Sequence, residues 1–353
     1  MKPMTGRERF LAALRHQESD KLPVHDGPWP TTVVRWRSEG LPADVSPADF
    51  FGFELAGYGG DNSFQFPPVT VEETDEYIIN RGGWGFTQKN WKQHGSTPML
   101  IDFPIKTRQD WERQKHRLAM NDTRVDLTAA RTAMEKARQR GRFFVFEQVP
   151  GYEATWRKVS SENLLMLMAT DPDWVIDMFQ TDTDLICAIF KHLVSHGIKF
   201  DGGFFYDDLG YKNGLLFSPK MYREELKPCH KQITDLLHEN DLPVILHTCG
   251  NVIELIPDLI EAGWDCLQPL EVKAGMDLVK LKARYGDRLS FMGGIDARNI
   301  AREDLSVVEE EIVVKFAAAR KGGGYIYHSD HSIPENVSFE HFRRYWAIVE
   351  GYR

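Results

Sequence analysis

The stretch Pro243-Val-Ile-Leu-His-Thr-Cys-Gly250 decides how this chain is read. Its short apolar run has the pattern of a strand buried in a parallel sheet. The run ends in His247 and Cys249, two good metal ligands separated by one residue. Alternation along a strand sends both side chains to one face. In a parallel α/β fold, the carboxyl ends of the strands are where side chains leave the core and meet a ligand. The pair therefore reads as a candidate metal site. The plainer alternative is a partly buried histidine beside a small apolar cysteine.

Working outward, three more stretches end alike: Phe200-Asp-Gly-Gly-Phe-Phe-Tyr-Asp-Asp208, Leu289-Ser-Phe-Met-Gly-Gly-Ile-Asp296 and Gly324-Tyr-Ile-Tyr-His-Ser-Asp-His331. Polar groups converging from several strand ends predict an active site. Helical and strand patterns alternate from about residue 125, with strands over 143–149, 200–207, 243–248, 265–270, 289–295 and 324–328. Strands and helices in this order imply a parallel sheet with right-handed crossovers. No Gly-x-Gly-x-x-Gly follows a strand, so the dinucleotide fingerprint is missing. Six or more successive units favour an α/β TIM (β/α)8 barrel over a doubly wound sheet.

One domain is expected over 1–353, with regular β/α units in 121–353. Residues 1–120 read as an N-terminal helix and a Trp/Gly/Pro-rich elaboration over the barrel mouth. Thr5-Gly-Arg-Glu8 is a capping box that opens the helix. In the elaboration, Thr70–Thr74 and Tyr77–Asn80 look like β pieces, and Arg81–Phe86 like a turn. Trp29, Trp84 and Trp91 either cover a substrate or form that layer's small core.

Of the 353 residues, 27% are charged and 42% hydrophobic, as in globular proteins. A net charge of -9 argues against a nucleic-acid surface, which needs clustered Lys and Arg. No apolar run approaches the roughly 20 residues that span a bilayer, and the N-terminus lacks a signal-peptide core. Cys187, Cys229, Cys249 and Cys266 form no CxxC pair. A reduced, cytoplasmic setting is expected.

Further residues stand where chemistry is expected. Asp207 and Asp208 end a strand, so at least one faces the mouth as a substrate-orienting or acid–base group, while the other caps a helix or turn. Glu147 interrupts an apolar strand and calls either for a partner, Arg157 being near in sequence, or for a place in the site. Gln268 and Glu271 end another strand. Glu271 also reads as a surface pair with Lys273, and Cys266 as core packing. Asp296 follows two glycines that allow close approach of a ligand, with helix capping near Asn299 as the alternative. Tyr206, Tyr325 and Tyr327 line a cavity or pack in the core.

The runs His247-Thr-Cys-Gly-Asn-Val252, Gly263-Trp-Asp-Cys-Leu-Gln-Pro-Leu-Glu271, Met292-Gly-Gly-Ile-Asp296 and Gly323-Gly-Tyr-Ile-Tyr-His-Ser-Asp-His-Ser-Ile-Pro334 resemble the uroporphyrinogen decarboxylase superfamily. That superfamily joins the decarboxylase and the cobalamin-dependent methyltransferases on a TIM barrel. The likeness covers 140–350 well and 1–140 more weakly, although Arg7–His16 resembles the family's first helix. The decarboxylase meets a polycarboxylate tetrapyrrole with arginines from an N-terminal segment. Here the comparable Val24-His-Asp-Gly-Pro-Trp-Pro30 offers no cation and adds an anion at Asp26. Unpaired buried charge is expensive, so the chain resembles the methyltransferase branch more closely.

That branch holds zinc through a His-x-Cys-Gly segment and a later cysteine on the last strand. The resemblance therefore implies His247 and Cys249 as ligands. At the later position this chain has His331, which is also an ordinary zinc ligand. His328 and Asp330 are alternative or supporting candidates.

The activity implied is a zinc-dependent methyltransferase moving a methyl group between a small methylated or thiol substrate and a corrinoid (cobalamin). The chain lacks the Asp-x-His-x-x-Gly motif of a cobalamin-binding domain, so the corrinoid would arrive on a partner protein. A homodimer is a further expected assembly; nucleic acid and membrane are not expected partners. The alternative is a metal-free carboxy-lyase acting on a porphyrinogen-related or smaller acid, with Asp207 or Asp208 stabilising a protonated intermediate. A binding protein that kept the barrel and lost the chemistry is the third reading.

Overall fold

Parallel strands of a curled sheet carry the computed structural model, which describes residues 3–92 and 97–353. Met1 and Lys2, and residues 93–96 of the expected elaboration, lie outside the described residues. The strands are β1 (Leu55–Tyr58), β2 (Phe143–Gln148), β3 (Gly202–Tyr206), β4 (Val244–His247), β5 (Cys266–Gln268), β6 (Ser290–Met292) and β7 (Tyr325–Ile326). Each pairs in parallel with the next in this sequence. The helices that return the chain include Pro172–Ser195, Lys227–His238 and Ser306–Arg320. Parallel neighbours require such crossovers. The fold is thus α/β, as expected.

Both edges of this sheet meet one short segment. Tyr327 N, just past β7, donates to Pro23 O at 2.9 Å, and His25 N donates back to Tyr327 O at 3.1 Å. Glu54 N, just before β1, donates to Val24 O at 2.9 Å.

Alternation sorts the side chains into two layers. Phe144, Phe146, Phe205, Leu246, Leu267 and Phe291 face outward and pack under the helices. Leu55, Val145, Phe204, Ile245, Cys266, Met292 and Ile326 face inward. The helix Gly6–Leu14 fits Phe10 and Leu14 into this inner layer, and Phe10 stacks on Phe143 at 5.3 Å between centroids. Thr5 and Glu8 form the expected capping box at its start. Truncating the fully buried Phe10 to alanine is expected to cost about 3–5 kcal/mol.

The region read as an elaboration is more than that. β1 belongs to the parallel sheet and Val24 bridges Tyr327 at its far edge, so the parallel framework begins well before residue 121. The rest of the region includes an antiparallel four-stranded sheet over Val69–Glu73, Tyr77–Arg81, Thr87–Trp91 and Met99–Asp102. Its first two strands lie where β pieces were expected, and residues 82–86 connect the second to the third. Among the described residues, no helix is long and apolar enough to cross a membrane.

Candidate metal centre

The inner face changes character at one level. Two residues beyond an inward apolar side chain comes an inward polar one: Glu147 after Val145, Tyr206 after Phe204, His247 after Ile245, Gln268 after Cys266, and His328 after Ile326. Register sets His247 beside Tyr206 on one side and Gln268 on the other. Tyr206 points inward yet is 37% exposed, so the sheet encloses an open hollow at this level. Its ring lies 5.1 Å from that of His247.

Three donors converge here. A ligand atom from each of Asp208, His247 and Cys249 lies within 4.8 Å of the others. Gln268 Oε1 contacts His247 Nδ1 at hydrogen-bonding distance, which assigns the proton to Nδ1 because the amide oxygen can only accept. Nε2 is left with its lone pair, 3.5 Å from Cys249 Sγ and 3.6 Å from Asp208 Oδ1. Two ligands sharing a tetrahedral zinc ion at ordinary N and S bond lengths would stand about 3.6 Å apart. The donor set therefore fits zinc in chemistry, and the two separations from Nε2 fit it in spacing.

Electrostatics agrees with that fit. Burial, above all, lowers the His247 pKa, with Asp208 and Gln268 opposing, which favours the neutral imidazole that a metal ligand requires. Burial, then the negative charges of Asp208 and Glu271, push the Cys249 thiol well above its ordinary range. A cation reverses that bias, because a coordinating thiol loses its proton.

The His247–Gly250 turn is held from below and beside. Cys249 N donates to Asp208 Oδ1 at 2.8 Å, and Gly250 N to Glu271 Oε2 at 2.7 Å. Gly250 has φ 81°, and a Cβ there would lie 2.4 Å from the Gly210 carbonyl carbon. Only glycine fits that turn without displacing backbone.

Other candidates lie elsewhere. His331 is not in the donor cluster; it stacks on Trp29 at 5.9 Å. Asp208, just past the end of β3, joins His247 and Cys249 there instead. Asp207 faces away from the hollow, because it is one residue out of step with Asp208. It is fully buried, bonds His230 Nε2 at 2.8 Å, and accepts the N–H groups of Tyr152 and Glu153 at 3.3 and 2.6 Å.

Asp296 caps the helix Ala297–Ile300 and pairs with Arg298 at 2.6 Å, which is the capping alternative. Tyr327 falls in the outer layer, bonded to Asp26 and Tyr345. Tyr325 packs there too, its hydroxyl on Gly293 O. Glu271 pairs with Lys273 at 2.8 Å while holding Gly250. His328 lies in the inner polar layer, its Nδ1 on Ser329 O at 2.6 Å. Asp330 accepts from Val272 N and Ala297 N, tying two loops together. Arg157 pairs with Glu153 at 2.7 Å, which leaves Glu147 alone.

Two groups escaped sequence reasoning. His25 stands beside His328, rings 5.7 Å apart, with a buried Nδ1 that has no hydrogen-bond partner among the described residues. Its signal was the Leu22–His25 run, which contains Pro23 and is too short to read as sheet. Glu153 lies at the start of the helix Gly151–Val159, where burial raises its pKa.

Comparisons with known proteins agree with this architecture. A methylated-thiol–coenzyme M methyltransferase of Methanosarcina mazei is 28% identical over 138 residues, covering 38% of this chain and 34% of that protein. A uroporphyrinogen decarboxylase of Aeromonas salmonicida is 26% identical over 132 residues, 36% of each chain. These matches span about a third of either relative. The methylcobamide:CoM methyltransferase MtbA of Methanosarcina acetivorans is 21% identical over 287 residues, 79% of this chain and 81% of that one. Among solved structures, a methyltransferase from Methanosarcina mazei superimposes with a TM-score of 0.66, 17% identity and 99% coverage of both chains, a likeness of fold. The uroporphyrinogen decarboxylase (URO-D) family profile matches residues 95–352, and the chain belongs to that family.

Proposed function

We propose that this chain is a methyltransferase that holds zinc on His247, Cys249 and Asp208. It would move a methyl group between a small methylated or thiol substrate and a corrinoid carried by a partner protein, in a cytoplasmic setting. The observation that carries the proposal is the convergence of one donor atom each from His247, Cys249 and Asp208 within 4.8 Å, beside the exposed Tyr206. The named methyltransferase relatives act, by their names, on methylated thiols, methylcobamide and coenzyme M, which supports the same class of transfer. The Pro23–His25 segment is read as the eighth strand of a closed (β/α)8 barrel around that hollow.

Three protein donors leave a fourth position for substrate, as catalytic zinc sites require. When bound, such an ion supplies Lewis acidity, lowering the cost of negative charge on a thiol or on the heteroatom that loses a methyl group. The chain's own residues do the rest. Gln268 fixes the His247 ring and keeps its proton on Nδ1. Asp208 holds the Cys249 backbone and adds the carboxylate donor. Tyr206 offers an exposed aromatic wall beside the donors.

Metal analysis of protein purified without a histidine tag tests the proposal. About one zinc per chain is expected, with loss in Cys249→Ser. Metal-free protein that keeps a decarboxylase activity after Cys249→Ser would establish the lyase reading instead.

A further inference from the structure

Glu147 stands in the inner polar layer on β2, two strands from His247, and is not one of the three donors. Its carboxyl has no hydrogen bond and no ion pair among the described residues. Arg157, the cation expected to meet it, is held by Glu153. Burial alone pushes the Glu147 carboxyl up to about 7. An inward carboxylate with no partner costs stability, which is the mark of a group retained for a ligand.

The sheet makes room for it. A Cβ at Gly57 would lie 2.0 Å from Glu147 Oε1, and one at Gly59 would lie 2.1 Å from its carbonyl oxygen. Glycine within a strand marks such a close approach. On the other side Glu147 is in register with Phe204, whose ring lies 4.8 Å from that of the exposed Tyr206. The carboxyl therefore looks onto aromatic surface and open space.

The charges around the hollow narrow the ligand further. Lys273 is paired with Glu271 at 2.8 Å, Arg298 with Asp296 at 2.6 Å, and Arg157 with Glu153 at 2.7 Å. A carboxylate, sulfonate or phosphate brought here would meet Glu147 and Asp208, with those cations already taken. A carboxylate set beside aromatic faces is instead the chemistry that holds a methylated ammonium.

We propose that Glu147 and Tyr206 form the recognition subsite for a cationic N-methylated head group carried by the substrate, making it a cationic compound rather than an anionic thiol or a polycarboxylate. This rests on the reading of the hollow as the substrate cavity, and the subsite does not use the metal donors.

Calorimetric titration of the full chain with tetramethylammonium chloride, and separately with sodium methanesulfonate at matched ionic strength, tests it. Saturable tetramethylammonium binding is expected, weakened about tenfold or more in Glu147→Gln and partly restored in Glu147→Asp. Methanesulfonate is expected to give no saturable heat. Glu147→Gln removes a buried charge, so it should fold and keep its zinc. Unchanged binding in Glu147→Gln, no binding in wild type, or tighter binding of methanesulfonate would overturn the subsite. Cys249→Ser separates the two readings: it is expected to lose zinc and keep tetramethylammonium binding. Glu147-dependent binding by a wild type devoid of zinc would end the metal reading alone; a zinc-loaded wild type blind to tetramethylammonium would end the subsite alone.

Discussion

Gln268 Oε1 accepts a hydrogen bond from His247 Nδ1–H, and that contact decides which ring nitrogen looks at Cys249. Such supporting bonds commonly carry 10–100-fold, roughly, of metal affinity. Gln268→Ala is expected to weaken zinc binding by about that factor while the fold persists. Competition with a chromogenic chelator measures it; an unaltered affinity would show that the ring is oriented by other contacts.

The donor cluster and the family resemblance name different third ligands, and two substitutions separate them. Asp208→Asn should strip zinc, because Asp208 Oδ1 lies 3.6 Å from His247 Nε2. His331→Ala should keep about one zinc per chain, since His331 is not among the converging donors. The opposite pattern in elemental analysis would return the third position to His331.

Asp207 is expected to govern stability and not metal content. Its buried carboxylate satisfies His230 and two backbone N–H groups that begin the helix Gly151–Val159. Removing one partner of a buried, hydrogen-bonded pair costs about 3–5 kcal/mol. Asp207→Ala should therefore unfold at markedly lower denaturant, with unchanged zinc per folded chain. Zinc lost from a fully folded variant would contradict this.

Glu147 gives a pH signature with a definite sign. Its folded value of about 7 exceeds the ordinary 4.5, so the folded chain binds the proton more tightly than the unfolded one. Its effect favours folding below about pH 4.5, is lost as pH rises from there to about 7, and is flat above. The full difference is on the order of 3 kcal/mol. Glu147→Gln should match wild type near pH 5 more closely than near pH 8, where the variant should be the more stable. Urea midpoints that fail to diverge with pH would remove Glu147 from the buried groups that titrate.

Much of this was legible in the residues. The strands β2 to β7 are apolar runs bounded by glycine, proline or aspartate, and each was found within a few residues. β1 was not, because Leu55-Ala-Gly-Tyr58 carries little of the β-branched signal on which strand reading depends. Its glycine serves the neighbouring Glu147 and not its own strand. That His247 and Cys249 meet on one face was readable, because strand alternation is local. The third donor was not, because which of Asp207 and Asp208 turns inward depends on where β3 ends, and that is set by tertiary pairing. Tyr327 was misplaced by the same parity: it alternates with Ile326, which faces the interior.

Asp207 and Asp208 are chain neighbours with unrelated duties, one anchoring a helix in the wall and the other exposed to the hollow. Deleting a single residue at the tip of β3 would turn Asp207 toward the hollow and Asp208 into the wall, and spoil both at once. The length of that turn is therefore under tighter constraint than its composition. Anyone grafting a loop here must conserve the residue count before choosing the residues.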